Sequence, residues 1–184
     1  MQKENKMGVM PIKKLVISMS LPMMISMLVQ ALYNVVDSVV VSQVCEDALT
    51  AVSLAFPVQN LMIGVATGTG VGINALLSRN LGAKNYEKVD KIAIQGVFLS
   101  VLSGLAFMLF GIFGVPAFFR TQVDPSSPIY AYGVDYLSVV CMLSIGVFGQ
   151  VTVERLMQAT GKTSLSMVTQ LTGAIINIIL DPLL

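Results

Sequence analysis

The sequence contains no histidine and no tryptophan, and only 11% of its 184 residues are charged. Without imidazole, histidine-ligated metal sites and Ser-His-Asp or Cys-His catalysis are excluded, and nothing else in the chain points to an enzyme. Soluble domains usually carry about 25% charged residues. The shortfall, together with 55% hydrophobic residues and a mean hydropathy of +0.80, places the chain among membrane proteins. A net charge of +1 argues against a nucleic-acid partner. Cysteine is scarce too. Cys45 falls in a short loop and Cys141 inside an apolar run, so no disulfide framework is indicated and both thiols read as inert. Lys3, Lys6, Lys13 and Lys14 would suit the basic region of a signal peptide. The apolar run behind them is too long and lacks a small-x-small cleavage site, so it reads as a retained first helix.

What is present is a series of apolar runs. A membrane-spanning helix needs about 20 mostly apolar residues, and five stretches qualify. They run over Leu15–Ser42, Thr50–Ser78, Ile92–Phe119 and Ile129–Gln158, with a fifth from Ser164 that is still apolar at Leu184. Residues 1–14 form a tail, and residues 15–184 form an all-α transmembrane bundle. Pro22 and Pro57 are the expected kink points of the first two helices. The charges set the topology. Ten of the eleven Lys and Arg residues fall in the tail, in the segment after helix 2 (Arg79, Lys84, Lys88, Lys91) or after helix 4 (Arg155, Lys162). The positive-inside rule then puts the N-terminus in the cytoplasm. The Arg79–Lys91 segment reads either as an interfacial amphipathic helix or as a solvated loop. The ending inside an apolar run suggests a truncated chain.

Ionisable groups inside a membrane are costly and therefore mark candidate sites. Ser26, Gln30, Asn34 and Asp37 are spaced i, i+4, i+8, i+11, which aligns them on one face of helix 1. That face must look into the bundle or a watery cavity, and interhelical hydrogen bonding is the alternative role for Ser26 and Gln30. On helix 5, Asn177 and Asp181 are i, i+4 neighbours, followed by Pro182, whose missing N–H frees nearby carbonyls. The simpler alternative is that helix 5 ends here in water. Asp37 lies 23 residues beyond Lys14, and Asp181 19 residues beyond Lys162, rises of roughly 35 and 29 Å. The two carboxylates thus reach similar depth, and two such groups in one dry site repel. A shared proton or Na⁺, with Asn177 and Asn34 as neutral oxygen donors, would relieve the repulsion. Asp135, Glu154 and Arg155 read as interfacial. Gly64, Gly68, Gly70 and Gly72 read as helix-packing positions rather than a nucleotide loop, since no strand precedes them. The methionine cluster Met19, Met23, Met24 and Met27 reads as apolar filler or as an adaptable binding surface.

Several segments resemble the MATE (multidrug and toxic compound extrusion) family. They are Leu21-Pro22, Tyr33-Asn34-Val35-Val36-Asp37, Ala48 to Pro57, Ser78 to Lys84, Gln158 to Thr163, and Asn177-Ile178-Ile179-Leu180-Asp181-Pro182. The matches run in order over nearly the whole chain, and the last motif looks most like the DinF-type branch. The resemblance implies a twelve-helix fold in two six-helix bundles, of which this chain supplies most of the first, without helix 6 or the second bundle. It implies a plasma-membrane antiporter that exports cationic or amphipathic drugs in exchange for H⁺ or Na⁺. The ion would be held by Asp37, Asn177 and Asp181 and supported by Gln30 and Asn34. No cofactor beyond that ion is implied, the partners are drugs and membrane lipid, and transport needs the missing C-terminal half. The alternatives are a lipid-linked sugar flippase of the same superfamily and a truncated remnant that transports nothing.

Overall fold

The computed structural model describes residues 10–44 and 46–180, and among them the chain is helical with short turns. We number the helices α1 (Ile12–Val44), α2 (Glu46–Gly82), α3 (Tyr86–Arg120), α4 (Pro128–Met142), α5 (Ser144–Ala159) and α6 (Thr163–Leu180). Three of them, α1, α2 and α3, are long and apolar enough to cross a membrane, and α4 with α5 makes a fourth crossing bent by 44°. The fifth expected crossing is α6, whose described apolar part is Thr163–Ile176. Apolar side chains such as Ile94, Phe98 and Phe113 are more than two-thirds exposed on the outside, as hydrocarbon contact demands and water would penalise.

The core lies where α2, α3 and the α4–α5 pair meet, in three tiers. Ala55, Val58, Val115, Phe119, Leu137 and Cys141 fill one end. Met62, Ala66 and Phe148 fill the middle, and Ile73, Leu77 and Ala159 fill the other end. The last tier draws the start of α3 and the end of α5 together, so Arg79, Lys84, Lys88, Lys91, Arg155 and Lys162 gather at one end of the bundle. The α3–α4 turn caps the opposite end. There Asp124 accepts hydrogen bonds from the Ser126 N–H (2.9 Å) and hydroxyl (2.7 Å), which hold its carboxyl below the ordinary carboxylate range.

Close approach in the core depends on small residues of α3. A Cβ at Gly104 would stand 2.9 Å from the Ile145 Cα, and one at Gly111 would stand 2.6 Å from the Cys141 Cβ. Helix α2 behaves differently from expectation. Gly64, Gly68 and Gly72 have no other helix within 4 Å of where a Cβ would sit, and only Gly70 of the four meets a neighbour, the Arg155 stem. The i, i+4 pattern marks one face of α2, and among the described residues nothing packs against these three glycines.

Helices α1, α2 and α3 run uninterrupted through Pro22, Pro57 and Pro116. A break within a crossing comes at Leu143, where no proline stands. Ser144 donates its hydroxyl to the Gly104 carbonyl (3.0 Å), and no side chain caps the α5 N-terminus. The expected continuous helix over Ile129–Gln158 is therefore two helices.

The Arg79–Lys91 segment is neither a separate amphipathic helix nor a long loop. Helices α2 and α3 are joined by Ala83, Lys84 and Asn85 alone. The Asn85 N–H reaches the Asn80 carbonyl and the Lys84 N–H reaches that of Leu81, a Schellman closure with Lys84 at φ 56°. The α5–α6 turn closes the same way, Lys162 to Met157 and Gly161 to Gln158, but puts Gly161 at the left-handed position, φ 79°. A side chain in this conformation costs roughly 1–2 kcal/mol, and glycine avoids it. Lys84→Gly should therefore raise stability by about 1 kcal/mol, read as a higher denaturation midpoint in detergent. An unchanged or lower midpoint would refute this.

Candidate functional site

Helix α1 packs against α6. These are the two helices on which the sequence places the polar faces. Ser26 is buried, and its hydroxyl donates to the Pro22 carbonyl (3.0 Å), so it serves the backbone of its own helix. Gln30 is exposed in this chain. Asn34, Asp37 and Asn177 have helical backbones, but their side chains lie outside the described residues, as do Asp181 and Pro182 altogether. Among the described residues no three His, Cys, Asp or Glu side chains converge, and neither Asp37 nor Asp181 belongs to that set.

A second polar region opens between α5 and α6. A cleft of about 380 Å³ is lined by Gln150, Glu154, Thr169 and Gln170, with Gly149, Val153, Met157 and Gly173 completing its walls. Glycines on the two facing helices leave room, Val153 and Met157 supply apolar contact, and Glu154 supplies the charge. Glu154 and Arg155, read from sequence as interfacial, are half-buried and joined through Gln158. The Gln158 Nε2 donates to Glu154 Oε1 (2.7 Å), and the Arg155 Nη1 donates to Gln158 Oε1 (2.8 Å). Gln158 itself is 4% exposed. Helix geometry explains the bridge, since Gln158 is i+4 from Glu154 and i+3 from Arg155 and so reaches both. Glu154 and Arg155 form no direct ion pair. Among the described residues the ion pair present is Lys91–Glu87 at 2.7 Å, out in solvent. Among the described residues the Arg155 Nε is buried without a partner.

Sequence reading missed Gln158 and Gln150. The signal for Gln158 was its spacing from two opposite charges, while Gln150 stands on α5 without such a mark. Asp135 is exposed on α4. Its neighbour Tyr136 faces inward and accepts a hydrogen bond from Gln59 Nε2 of α2 (2.9 Å).

The profile of the MatE family matches residues 22–183. The chain belongs to the MatE family. This MatE chain is 29% identical over 180 residues to the multidrug export protein MepA of Staphylococcus aureus, which covers 95% of the chain and 39% of MepA. It is 27% identical over 183 residues to an FAD transporter of Shewanella oneidensis, covering 95% of the chain and 38% of that protein. Superposition on a crystal structure of a MATE mutant gives a TM-score of 0.93 at 27% identity, over 99% of this chain and 41% of the other. The chain spans about two fifths of the length of these relatives. The expected all-α, multi-pass MATE architecture is thus the observed one.

Proposed function

We propose that residues 1–184 form the ion-carrying bundle of a cation-coupled multidrug exporter, set in the plasma membrane with its N-terminus in the cytoplasm. The observation that carries this reading is the packing of α1 on α6 in a MatE chain. Their polar faces, Asn34 and Asp37 on one and Asn177 leading to Asp181 on the other, belong to neighbouring helices. One H⁺ or Na⁺ held by Asp37, Asn177 and Asp181 changes the charge between α1 and α6, and that biases an alternating-access equilibrium. The relative MepA exports multiple drugs, which supports cargo of that class for this chain. Cationic, amphipathic compounds suit a cleft with apolar walls and one carboxylate, Glu154. No catalytic step is involved, no cofactor beyond the coupling ion is needed, and transport requires the second bundle that the twelve-helix fold supplies.

The test is ethidium movement in proteoliposomes of the whole transporter under an imposed Na⁺ or H⁺ gradient. Uphill ethidium transport is expected under one of the two gradients and should collapse with an ionophore for that ion. If neither gradient moves ethidium or another organic cation while both gradients persist, the reading is wrong.

A further inference from the structure

We infer that Gln158 is a positioning residue that keeps Arg155 from neutralising Glu154, and that this makes the α5–α6 cleft select cations over anions. The inference rests on the exporter reading for its cargo, but not for the binding itself. It starts from an oddity of the site. A half-buried carboxylate and a half-buried guanidinium occupy adjacent positions of α5 without pairing directly. Adjacent helix positions do not face each other, yet both long side chains here turn to one point, the Gln158 amide, where a direct charge-assisted contact would otherwise be within their reach. Here the buried amide of Gln158 stands between them, donating to Glu154 Oε1 and accepting from Arg155 Nη1. Only one orientation of the amide suits both neighbours, because a carboxylate needs a donor and a guanidinium has none of its lone pairs to offer. Among the described residues the second oxygen of Glu154 receives no hydrogen bond, and Glu154 lines the cleft, whereas Arg155 and Gln158 do not.

Arg155 is restrained from a second side. Its stem lies against Gly70 of α2, where a Cβ would come 2.8 Å from Arg155 Cγ and 3.7 Å from Cδ. Gly70 thus makes room for Arg155 on the side of α5 that faces α2, away from the α6 side where the cleft lies. The arrangement has an energetic edge. Among the described residues the Arg155 Nε is already buried and unpartnered, so losing the Gln158 acceptor leaves a second donor unpaired. A guanidinium in that condition seeks an acceptor, and the Glu154 carboxylate one residue away is the strongest on its helix. Gln158 therefore holds apart two charges that would otherwise cancel. The cleft's walls of Val153, Met157, Gly149 and Gly173 then suit the apolar body of an organic monovalent cation.

The experiment compares tetraphenylphosphonium with tetraphenylborate, ions of one shape and opposite sign, in titration calorimetry on the whole transporter in detergent. The wild type should bind the cation more tightly. Gln158→Met should cut the cation-to-anion affinity ratio by about tenfold or more, as should Glu154→Gln. Adding Arg155→Gln to Gln158→Met should restore the ratio, a rescue that a merely structural role for Gln158 does not provide. Arg155→Gln alone keeps the bridge's other partner and should leave the ratio at or above wild type. It serves as the test if Gln158→Met does not purify as a folded protein. An unchanged ratio in Glu154→Gln, an unchanged ratio in folded Gln158→Met, or a lower ratio in Arg155→Gln overturns the inference. These are equilibrium readings. Normal selectivity changes alongside absent gradient-driven efflux would sink the coupling mechanism alone, and the reverse pattern would sink only this inference.

Discussion

Asp37→Asn in the whole transporter is expected to stop gradient-driven drug efflux while the protein still reaches the membrane. The substitution keeps the size of the side chain and most of its hydrogen-bonding capacity, so helix α1 should insert and pack as before. What it removes is the charge that a proton or Na⁺ would bind. Moving one charge through 100 mV contributes about 2.3 kcal/mol to the transport cycle, roughly a 50-fold bias at about 1.4 kcal/mol per tenfold. Without that charge the drug can at most equilibrate. Asp181→Asn should do the same, since the two carboxylates are proposed to share one ion, and the double variant should be no worse than either single one. Counterflow of ethidium with no gradient imposed should survive in all three. Accumulation at the wild-type level in Asp37→Asn, with an unchanged ion dependence, would remove Asp37 from the coupling role.

The second large effect concerns stability. Gly111→Val should cost about 3 kcal/mol and strip most of the folded protein from detergent extracts. A Cβ at Gly111 would stand 2.6 Å from Cys141 Cβ and 3.4 Å from the Ser138 carbonyl oxygen, and valine adds two methyl groups to that collision. Cys141 is 1% exposed and belongs to the tier with Val115, Phe119 and Leu137, so it has nowhere to move. Nor can α3 retreat, because Gly104 two turns away rests on the Ile145 backbone and holds the Ser144 hydroxyl. Trimming the partner provides the control. Gly111→Ala should be partly rescued by Cys141→Gly, which removes the atom it meets. Gly104→Ala should not be rescued by shortening Ile145, since its conflict is with the main chain. Size-exclusion profiles and thermal midpoints read both comparisons. A monodisperse, normally stable Gly111→Val would show that α3 and α4 are not locked at this point.

The helices themselves were legible from hydropathy, and the gathering of basic residues at one end of the bundle followed from their alternation along the chain. Contacts between helices were not. Nothing between Met142 and Gly146 announces a break. It is Ser144 bonding to the Gly104 carbonyl on another helix that accompanies the bend, and residue spacing within one helix cannot disclose a partner 40 positions away. The glycines of α2 do not disclose their partners for a related reason. Gly64, Gly68 and Gly72 have the spacing of a packing seam, and among the described residues it is Gly70 that meets another helix. The turn after α2 was hidden because its left-handed position holds a lysine rather than the glycine that signals it after α5. At the candidate sites, the carboxylates on α1 and beyond α6 stood out because charge is rare in such helices. Gln158 did not, because an amide near a helix end is unremarkable until both its neighbours are seen to bond to it.

The bend at Leu143 ties this protein to the thickness of its membrane. Helices α4 and α5 have 15 and 16 residues, or roughly 22 and 24 Å at 1.5 Å per residue, so neither alone crosses a hydrocarbon layer of about 30 Å. Joined at 44°, they reach about 3 Å less from end to end than the same helices in line. A thicker bilayer therefore favours straightening, a thinner one favours the bend, and mismatch of this kind costs fractions of a kcal/mol per ångström. The lipid around the protein thus acts on the angle of its fourth crossing, and through α5 on the cleft that Glu154 lines.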